Sequence, residues 1–166
     1  MLLGNGFGAN GKGLYLTSLL DRQAQWRSRA NEFPHTVKVP ALAGYRFLRQ
    51  YHGRYYAKAQ NLNRKLARSY DTVLDQYDLL LMPTTPMKAT PLPPPDASPE
   101  VYTQRASEML PNAAPLDATG RPAMSIPCGM SEGLPVGMML VGGHFREDRI
   151  YRAAAGFESA AAWKSL

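Results

Sequence analysis

A hydroxyl, an imidazole and a carboxylate in the last third of the chain have the residue types of a serine-hydrolase site. Ser125, His144 and Asp148 would serve as nucleophile, base and the group that orients the base. Ser125 lies between apolar residues of a predicted strand, and the sequence holds no Gly-x-Ser-x-Gly turn to expose it. The pattern favours a strand hydroxyl satisfied by backbone and a surface or packing histidine, with the self-contained site as the open alternative.

Cys128 is the only cysteine, and a histidine beside it would activate its thiolate. Its place between Pro127 and Gly129 at a predicted strand end favours a buried, inert thiol instead. The three histidines are far apart in the chain, and the sequence contains no Cys-x-x-Cys or His-x-x-x-His pair. We therefore expect neither a metal site nor a cofactor.

Glycines at Gly6, Gly8 and Gly11 have the spacing of a dinucleotide-binding turn. That turn requires a strand directly before it, and only five residues precede Gly6. The glycine-rich segment from Gly4 to Gly13 is therefore predicted to be a connecting loop.

Composition is that of a globular protein: 45% of the 166 residues are hydrophobic, 19% are charged, and the net charge is +6. No apolar run approaches the roughly 20 residues that cross a bilayer, so we expect no membrane segment. The N-terminal residues do not resemble a secretory signal, and a single cysteine suits a reducing compartment. These features predict a cytoplasmic protein.

Two helices are predicted in the first half of the chain. The first runs from Leu14 to Ala30 and is stopped by Pro34. The second runs from about Ala41 to Asp75, with apolar residues at steps of three and four and with Gly44 and Gly53 as places where it could bend. Basic side chains crowd this region, but no recognition motif accompanies them, so we expect a solvated face and no nucleic-acid partner.

The second half is predicted to alternate strands and helices, which indicates a mixed α/β class. Asp78 to Met82 is predicted as a strand buried on both faces, followed by a proline-rich irregular loop over residues 83–97 and a helix from Ser98 towards Leu110. Ala123 to Cys128 and Val136 to Val141 are predicted to form an antiparallel hairpin.

A final helix is predicted from Glu147 to Glu158. The residues expected on its inward face are Ile150, Tyr151, Ala154 and Phe157.

Three motifs carry a family resemblance. Residues 78–86 end in Pro-Thr-Thr-Pro, residues 120–129 read Gly-x-Pro-Ala-x-Ser-x-Pro-x-Gly, and residues 133–143 begin with Gly-Leu-Pro-x-Gly. In this order they resemble the C-terminal part of amidase-signature hydrolases. The residues of the three motifs are most similar to those of broad-specificity amidases that hydrolyse aliphatic and aromatic amides, including those found beside nitrile hydratases.

The resemblance implies the C-terminal part of the amidase-signature fold: a mixed sheet flanked by helices, with a long basic amphipathic helix, in one incomplete domain over residues 1–166. The family's nucleophilic serine, its bridging serine and its catalytic lysine belong to an upstream segment. This sequence has no two adjacent serines and no lysine in a matching context, so no catalytic residue is assigned. The resemblance implies a scaffold that is inactive alone, and the alternative is a non-enzymatic binding or assembly domain.

This part of the family would supply walls of the acyl pocket. The residues concerned are Thr84, Thr85 and Pro86, and the segment from Asn112 to Asp117. Simple loop structure is the competing interpretation. The expected partner is a small-molecule amide, bound only together with the N-terminal half. Unpaired strand edges and open apolar faces predict a homo-oligomer or a rearranged fold of the isolated segment.

Overall fold

The structure is a computed structural model that describes residues 14–161. The loop predicted from Gly4 to Gly13 lies outside the described residues. The chain divides between Arg54 and Tyr55 into two compact units. The described part of the first unit is helical, and the second contains every described strand, so the predicted mixed α/β class is confirmed. None of the helices described combines the length and apolarity needed to cross a membrane.

The first unit contains helices α1 (Thr17–Ala24) and α2 (His35–Tyr51), separated by a 3-10 segment, Gln25–Glu32. The prediction of one helix to Ala30 is therefore wrong in its second half. Arg29 departs from helical geometry, with φ of −119° and ψ of 18°, and none of the segment's side chains is buried, so no packing stabilises a regular α-helix there.

His52 and Gly53 interrupt the helix that was predicted from about Ala41 to Asp75, at one of the two glycines named as places where it could bend. Both residues are left-handed, with φ of 47° and 81°. A left-handed residue ends a helix because it turns the chain away from the helical axis, and glycine accepts this conformation without strain. Helix α3 (Arg54–Leu74) then begins anew.

Helix α3 is amphipathic, as predicted. Its half-buried residues recur at steps of four, three and four, namely Asn63, Ala67, Tyr70 and Leu74. Arg64, Lys65 and Arg68 are exposed on other sides of the helix. The charge is therefore on the solvated surface.

The sheet has three strands: β1 (Leu80–Pro83), β2 (Ala123–Ser131) and β3 (Leu134–Val141). Their order is β1-β3-β2, and both pairings are antiparallel. The predicted hairpin of β2 and β3 is confirmed, with strands longer than expected. Its turn is only two residues, Glu132 and Gly133, whose φ values of 53° and 77° suit the twist of a tight hairpin.

Helix α6 (Glu147–Ala160) covers one face of the sheet. Its Ile150 and Ala154 are buried against Ile126 of β2 and Leu140 of β3. Tyr151, expected to face inward, is 62% exposed because the packing stripe follows residues 150, 154 and 157 and the side chain at 151 points away.

The opposite face of the sheet is covered by α3 and by a short helix, α5 (Ala114–Thr119). Leu116 of α5 is buried with Met139 and Val141 of β3, and Tyr70 of α3 packs against them. Helix α5 was not predicted. It begins inside the segment from Asn112 to Asp117 that was read as loop.

The prediction that β1 is buried on both faces is wrong. Its burial alternates, and Leu81 is 66% exposed. The reason is position: Leu81 lies on an outer strand, whereas α6 packs on β2 and β3. A strand at the side of a sheet is covered less than its sequence suggests.

The segment from residue 84 to 98 contains no helix or strand, as predicted for the proline-rich loop. Helix α4 (Pro99–Glu108) follows, and the Val101 backbone N–H donates to the Ser98 hydroxyl at 3.4 Å. The Lys88 ammonium pairs with the Glu132 carboxylate, which ties the loop to the hairpin turn.

Candidate functional site

Two hydroxyls meet above the central strand of the sheet. Thr84 follows the last residue of β1, Ser125 lies in β2, and their oxygens Oγ1 and Oγ are 2.6 Å apart. Strands β1 and β2 are not neighbours, since β3 runs between them. The hydroxyl pair therefore spans β3.

Gly137 of β3 makes this contact possible. The Thr84 N–H donates to the Gly137 carbonyl at 2.9 Å, which holds Thr84 beside it. A Cβ at position 137 would lie 2.8 Å from Thr84 Oγ1 and 2.9 Å from Ser125 Oγ, both too close. The hydrogen bond between these two hydroxyls therefore requires a glycine beneath it in β3.

Asn112 also lies at the end of β1. Its side-chain N–H group donates to the Pro83 carbonyl at 2.9 Å, one residue before Thr84. Of the residues assigned from the sequence, Thr84 and Asn112 are brought to this place. The group is polar and lies where a strand gives way to a loop.

The other assigned residues make different contacts. The Thr85 hydroxyl donates to the Met87 carbonyl at 2.7 Å, which stabilises the start of the proline-rich loop. Pro86 is exposed beside it, and Asp117 is exposed in the first turn of α5. Nothing in their contacts joins these three to the hydroxyl pair.

The hydroxyl pair has hydrogen-bonding capacity left for a ligand, but it has no neighbouring base that would activate a hydroxyl as a nucleophile. A hydroxyl has one proton and two lone pairs, so the bond between Thr84 and Ser125 leaves one proton and further acceptor sites available. Within residues 14–161, no histidine, lysine or carboxylate hydrogen-bonds to either hydroxyl. The pair is therefore suited to hold a carbonyl, amide or hydroxyl group.

The self-contained Ser125, His144 and Asp148 site is not formed. The Ser125 hydroxyl is hydrogen-bonded to the Thr84 hydroxyl. Asp148 accepts from the Arg146 guanidinium at 3.1 Å, and this hydrogen bond lowers the pKa of the Asp148 carboxyl. His144 lies beyond β3, five residues after Met139, the partner of Ser125 in the sheet.

Cys128 is half-buried, and its thiol donates to the Val136 carbonyl at 3.5 Å. The described residues contain no group of three or more histidines, cysteines or carboxylates that could hold a metal.

A buried charge was missed by the reasoning from sequence. The Arg121 side chain is 2% exposed, pairs with the Asp71 carboxylate and donates to the Ala67 carbonyl at 3.2 Å. It tethers α3 to the chain two residues before β2. Its charged neighbours line a polar cavity of about 390 Å³ between the end of α3 and the loop after β3. No sequence motif marks this pair, because 50 residues separate its members.

Residues 15–151 match the family model described as Amidase. One relative, an "uncharacterized protein in nthA 5'region" of Rhodococcus erythropolis, is 41% identical over 95% of this chain and 80% of its own length. The enantioselective amidase of Rhodococcus rhodochrous is 37% identical over 96% of this chain. The chain spans only 31% of the length of that enzyme.

The fold is similar to that of a solved protein. The crystal structure of a glutamyl-tRNA(Gln) amidotransferase subunit from Thermotoga maritima superposes with a TM-score of 0.57 at 23% identity, covering 93% of this chain and 30% of that one.

Proposed function

Since this chain belongs to the amidase-signature family, we propose that it is the C-terminal segment of an amide hydrolase, an enzyme that converts a carboxylic amide to a carboxylate and ammonia. The observation that carries the proposal is the match of nearly the whole chain to less than a third of an enantioselective amidase. A segment of this kind supplies scaffold, and the rest of the enzyme supplies the reacting groups.

In this proposal the chain forms part of the acyl-pocket wall. Thr84, with its partner Ser125, offers hydroxyls above Gly137, and Asn112 fixes the end of β1 beside them. Thr85, Pro86 and Asp117 would line the pocket from the adjoining loop and helix. Aliphatic and aromatic amides are the substrate class, by resemblance to the amidases associated with nitrile metabolism.

The chain is expected to be inactive alone. It has no serine pair and no lysine in the family's catalytic context, and the hydroxyl pair lacks a base. We further propose a single incomplete domain, a cytoplasmic location and self-association of the isolated chain, without a cofactor, a metal or a nucleic-acid partner. Exposed apolar side chains such as Leu62 and Leu81, at 56% and 66%, support self-association.

The test is complementation. The part of the Rhodococcus rhodochrous amidase that precedes its matched region is co-expressed with this chain, and ammonia release from propionamide and benzamide is measured. Hydrolysis should require both polypeptides. The isolated chain should neither release ammonia nor be labelled by a serine-directed phosphonate. Hydrolysis by the isolated chain that Ser125→Ala abolishes would instead reveal a self-contained site.

A non-enzymatic binding or assembly domain is the second candidate. It is favoured by the Rhodococcus erythropolis relative, of which this chain covers 80%, so that chain too is far shorter than the amidase. Complementation separates the two functions. Failure to restore hydrolysis, together with tight binding of an unrelated protein, would favour the binding domain.

A further inference from the structure

The polar cavity beside Arg121 lies at the opposite end of the sheet from the hydroxyl pair. Among its lining residues, Asp78 precedes β1, Arg121 precedes β2, and Gly143 follows β3. Strands β1 and β2 both run antiparallel to β3, so these three points meet at one end of the sheet, whereas Thr84 follows the other end of β1. The cavity is therefore separate from the hydroxyl pair, and all its lining residues belong to the second compact unit.

Most of the charged side chains that line this cavity already have partners. Three ion pairs within residues 14–161 account for them: Asp71 with Arg121, Asp78 with Arg149, and Asp148 with Arg146. Two groups in the cavity wall are left over, a buried N–H donor and a carboxylate acceptor.

The donor is the Nε atom of Arg121. The Arg121 side chain is 2% exposed, and its Nη2 atom donates to the Asp71 carboxylate and to the Ala67 carbonyl. Its Nε is buried and has no hydrogen-bond partner within residues 14–161. The Tyr70 ring lies 5.9 Å from the guanidinium carbon, but an aromatic face is only a weak acceptor. Leaving a buried donor unpaired is costly, so an oxygen acceptor is expected beside Nε.

The acceptor is the carboxylate of Asp75. Asp75 lines the cavity, and within the described residues its side chain takes part in no hydrogen bond or ion pair. Its backbone N–H donates to the Asp71 carbonyl at 2.9 Å, so the helical turn of α3 continues to this residue. Side chains four residues apart on a helix are neighbours, with Cβ atoms roughly 5–6 Å apart. The free carboxylate therefore lies one turn from Asp71, the residue that holds the Arg121 guanidinium.

A ligand that satisfies both groups needs an anionic oxygen and a cationic donor a short distance apart. A carboxylate can accept from Arg121 Nε, and an ammonium group can donate to Asp75. An α-amino acid carries both groups on one carbon atom. The cavity of about 390 Å³ lies within the usual size range of small-molecule sites. A simple anion would leave Asp75 without a partner, and a simple amine would leave Nε without one.

We propose that this cavity binds a free α-amino acid, with its carboxylate on Arg121 Nε and its ammonium group on Asp75. The inference goes beyond the proposed function, because the site is built by this chain alone and lies away from the hydroxyl pair. The bound molecule would join the end of α3 to the chain before β2. Free amino acid would thereby stabilise the contact between this helix and the sheet.

Titration of the isotope-labelled chain, followed by NMR at the Nε–H signal of Arg121, tests the site. L-Alanine should shift this signal saturably. Propionate lacks the ammonium group and ethylamine lacks the carboxylate, so each should bind at least about tenfold more weakly, since each loses a charge-assisted hydrogen bond. Absence of a shift with L-alanine would show that water alone fills the cavity and would overturn the proposal. Equally tight binding of propionate or ethylamine would also overturn it.

Asp75→Asn tests the partner of the ammonium group. Asp75 is exposed and unpaired within the described residues, so the fold should be kept, and an unchanged Arg121 Nε–H signal in the ligand-free variant checks this. L-Alanine should then bind at least about tenfold more weakly and no better than propionate. Asp96→Asn is the matched control, because it makes the same change at an exposed aspartate of the proline-rich loop and should alter binding by less than about twofold. Undiminished binding of L-alanine by Asp75→Asn would refute the assignment.

Discussion

Replacing Gly137 by alanine should show whether the Thr84 and Ser125 hydroxyls are what requires a glycine at this position of β3. A Cβ at this position would lie 2.8 Å from Thr84 Oγ1 and 2.9 Å from Ser125 Oγ, about half an ångström inside ordinary contact. The hydroxyls would be pushed apart and their hydrogen bond lost. We expect Gly137→Ala to lower the free energy of unfolding by about 1–3 kcal/mol, the usual cost of overpacking.

The destabilisation by Gly137→Ala depends on Thr84 Oγ1 and Ser125 Oγ. Removing these two oxygens should therefore remove most of the loss in free energy of unfolding. In a Thr84→Ala, Ser125→Ala background, the nearest remaining neighbour of the new Cβ is the Cβ of residue 84, at 3.3 Å. That contact is tight but can relax by a few tenths of an ångström. Gly137→Ala should then cost less than about 1 kcal/mol, which gives a coupling energy on the order of 1–2 kcal/mol.

Urea unfolding of the four variants measures this coupling, with the midpoint and slope fitted for each. Gly156→Ala is the matched control. It makes the same chemical change in α6 with nothing within 4 Å, and should stabilise the protein by up to about 1 kcal/mol. An equal cost of Gly137→Ala in both backgrounds would refute the reasoning, because the hydroxyls could not then be the obstacle.

Three further predictions concern the scaffold. Ser98→Ala should destabilise the protein by about 1 kcal/mol because α4 loses its N-cap, whereas Ser107→Ala, inside the same helix, should change stability by less than about 0.5 kcal/mol in urea unfolding. Asp71→Asn should be more destabilising than Arg121→Met, by roughly 1–2 kcal/mol in the same assay, because it leaves a buried guanidinium without its carboxylate. Asp71 is half-exposed, so this difference is smaller than the cost of breaking a fully buried ion pair. Arg146→Gln should raise the lowered pKa of Asp148 towards its ordinary value of about 3.9, as followed by NMR titration. Because the folded-state pKa is the lower one, the pair stabilises the fold above the ordinary pKa, and that contribution is lost as the pH falls through the folded-state pKa. An unchanged titration of Asp148 in Arg146→Gln would contradict this.

The hairpin, α4 and α6 could be predicted because each has a local cause. Alternating apolar residues and a glycine-containing turn specify β2 and β3, and Ser98 marks the start of α4. Helix α5 has only six residues, with a proline in its first turn, and that is too short to show a period. The break at His52 was missed in part because a left-handed histidine leaves no clear signal in sequence.

The site was only partly predictable, because its central contact depends on strand order. Thr84 and Ser125 are 41 residues apart and belong to strands that do not touch. The hairpin can be read from the sequence, but the choice of β3 as the central strand cannot. That choice also decides that Leu81 is exposed and that Gly137 lies beneath two hydroxyls. Both consequences require the tertiary arrangement.

Proline at position 83, with the amide of Asn112 over its carbonyl, has a consequence for solubility. Fibrous aggregates grow when each molecule can recruit a neighbour on two sides, whereas a molecule that can recruit on one side only stops at a pair. Because Pro83 has no N–H and its carbonyl is already bonded, the outer edge of β1 offers few backbone groups to a further strand, so stacking of free copies through their sheets should end in dimers. The amount of protein in large particles should therefore rise sharply in a Pro83→Val, Asn112→Ala variant.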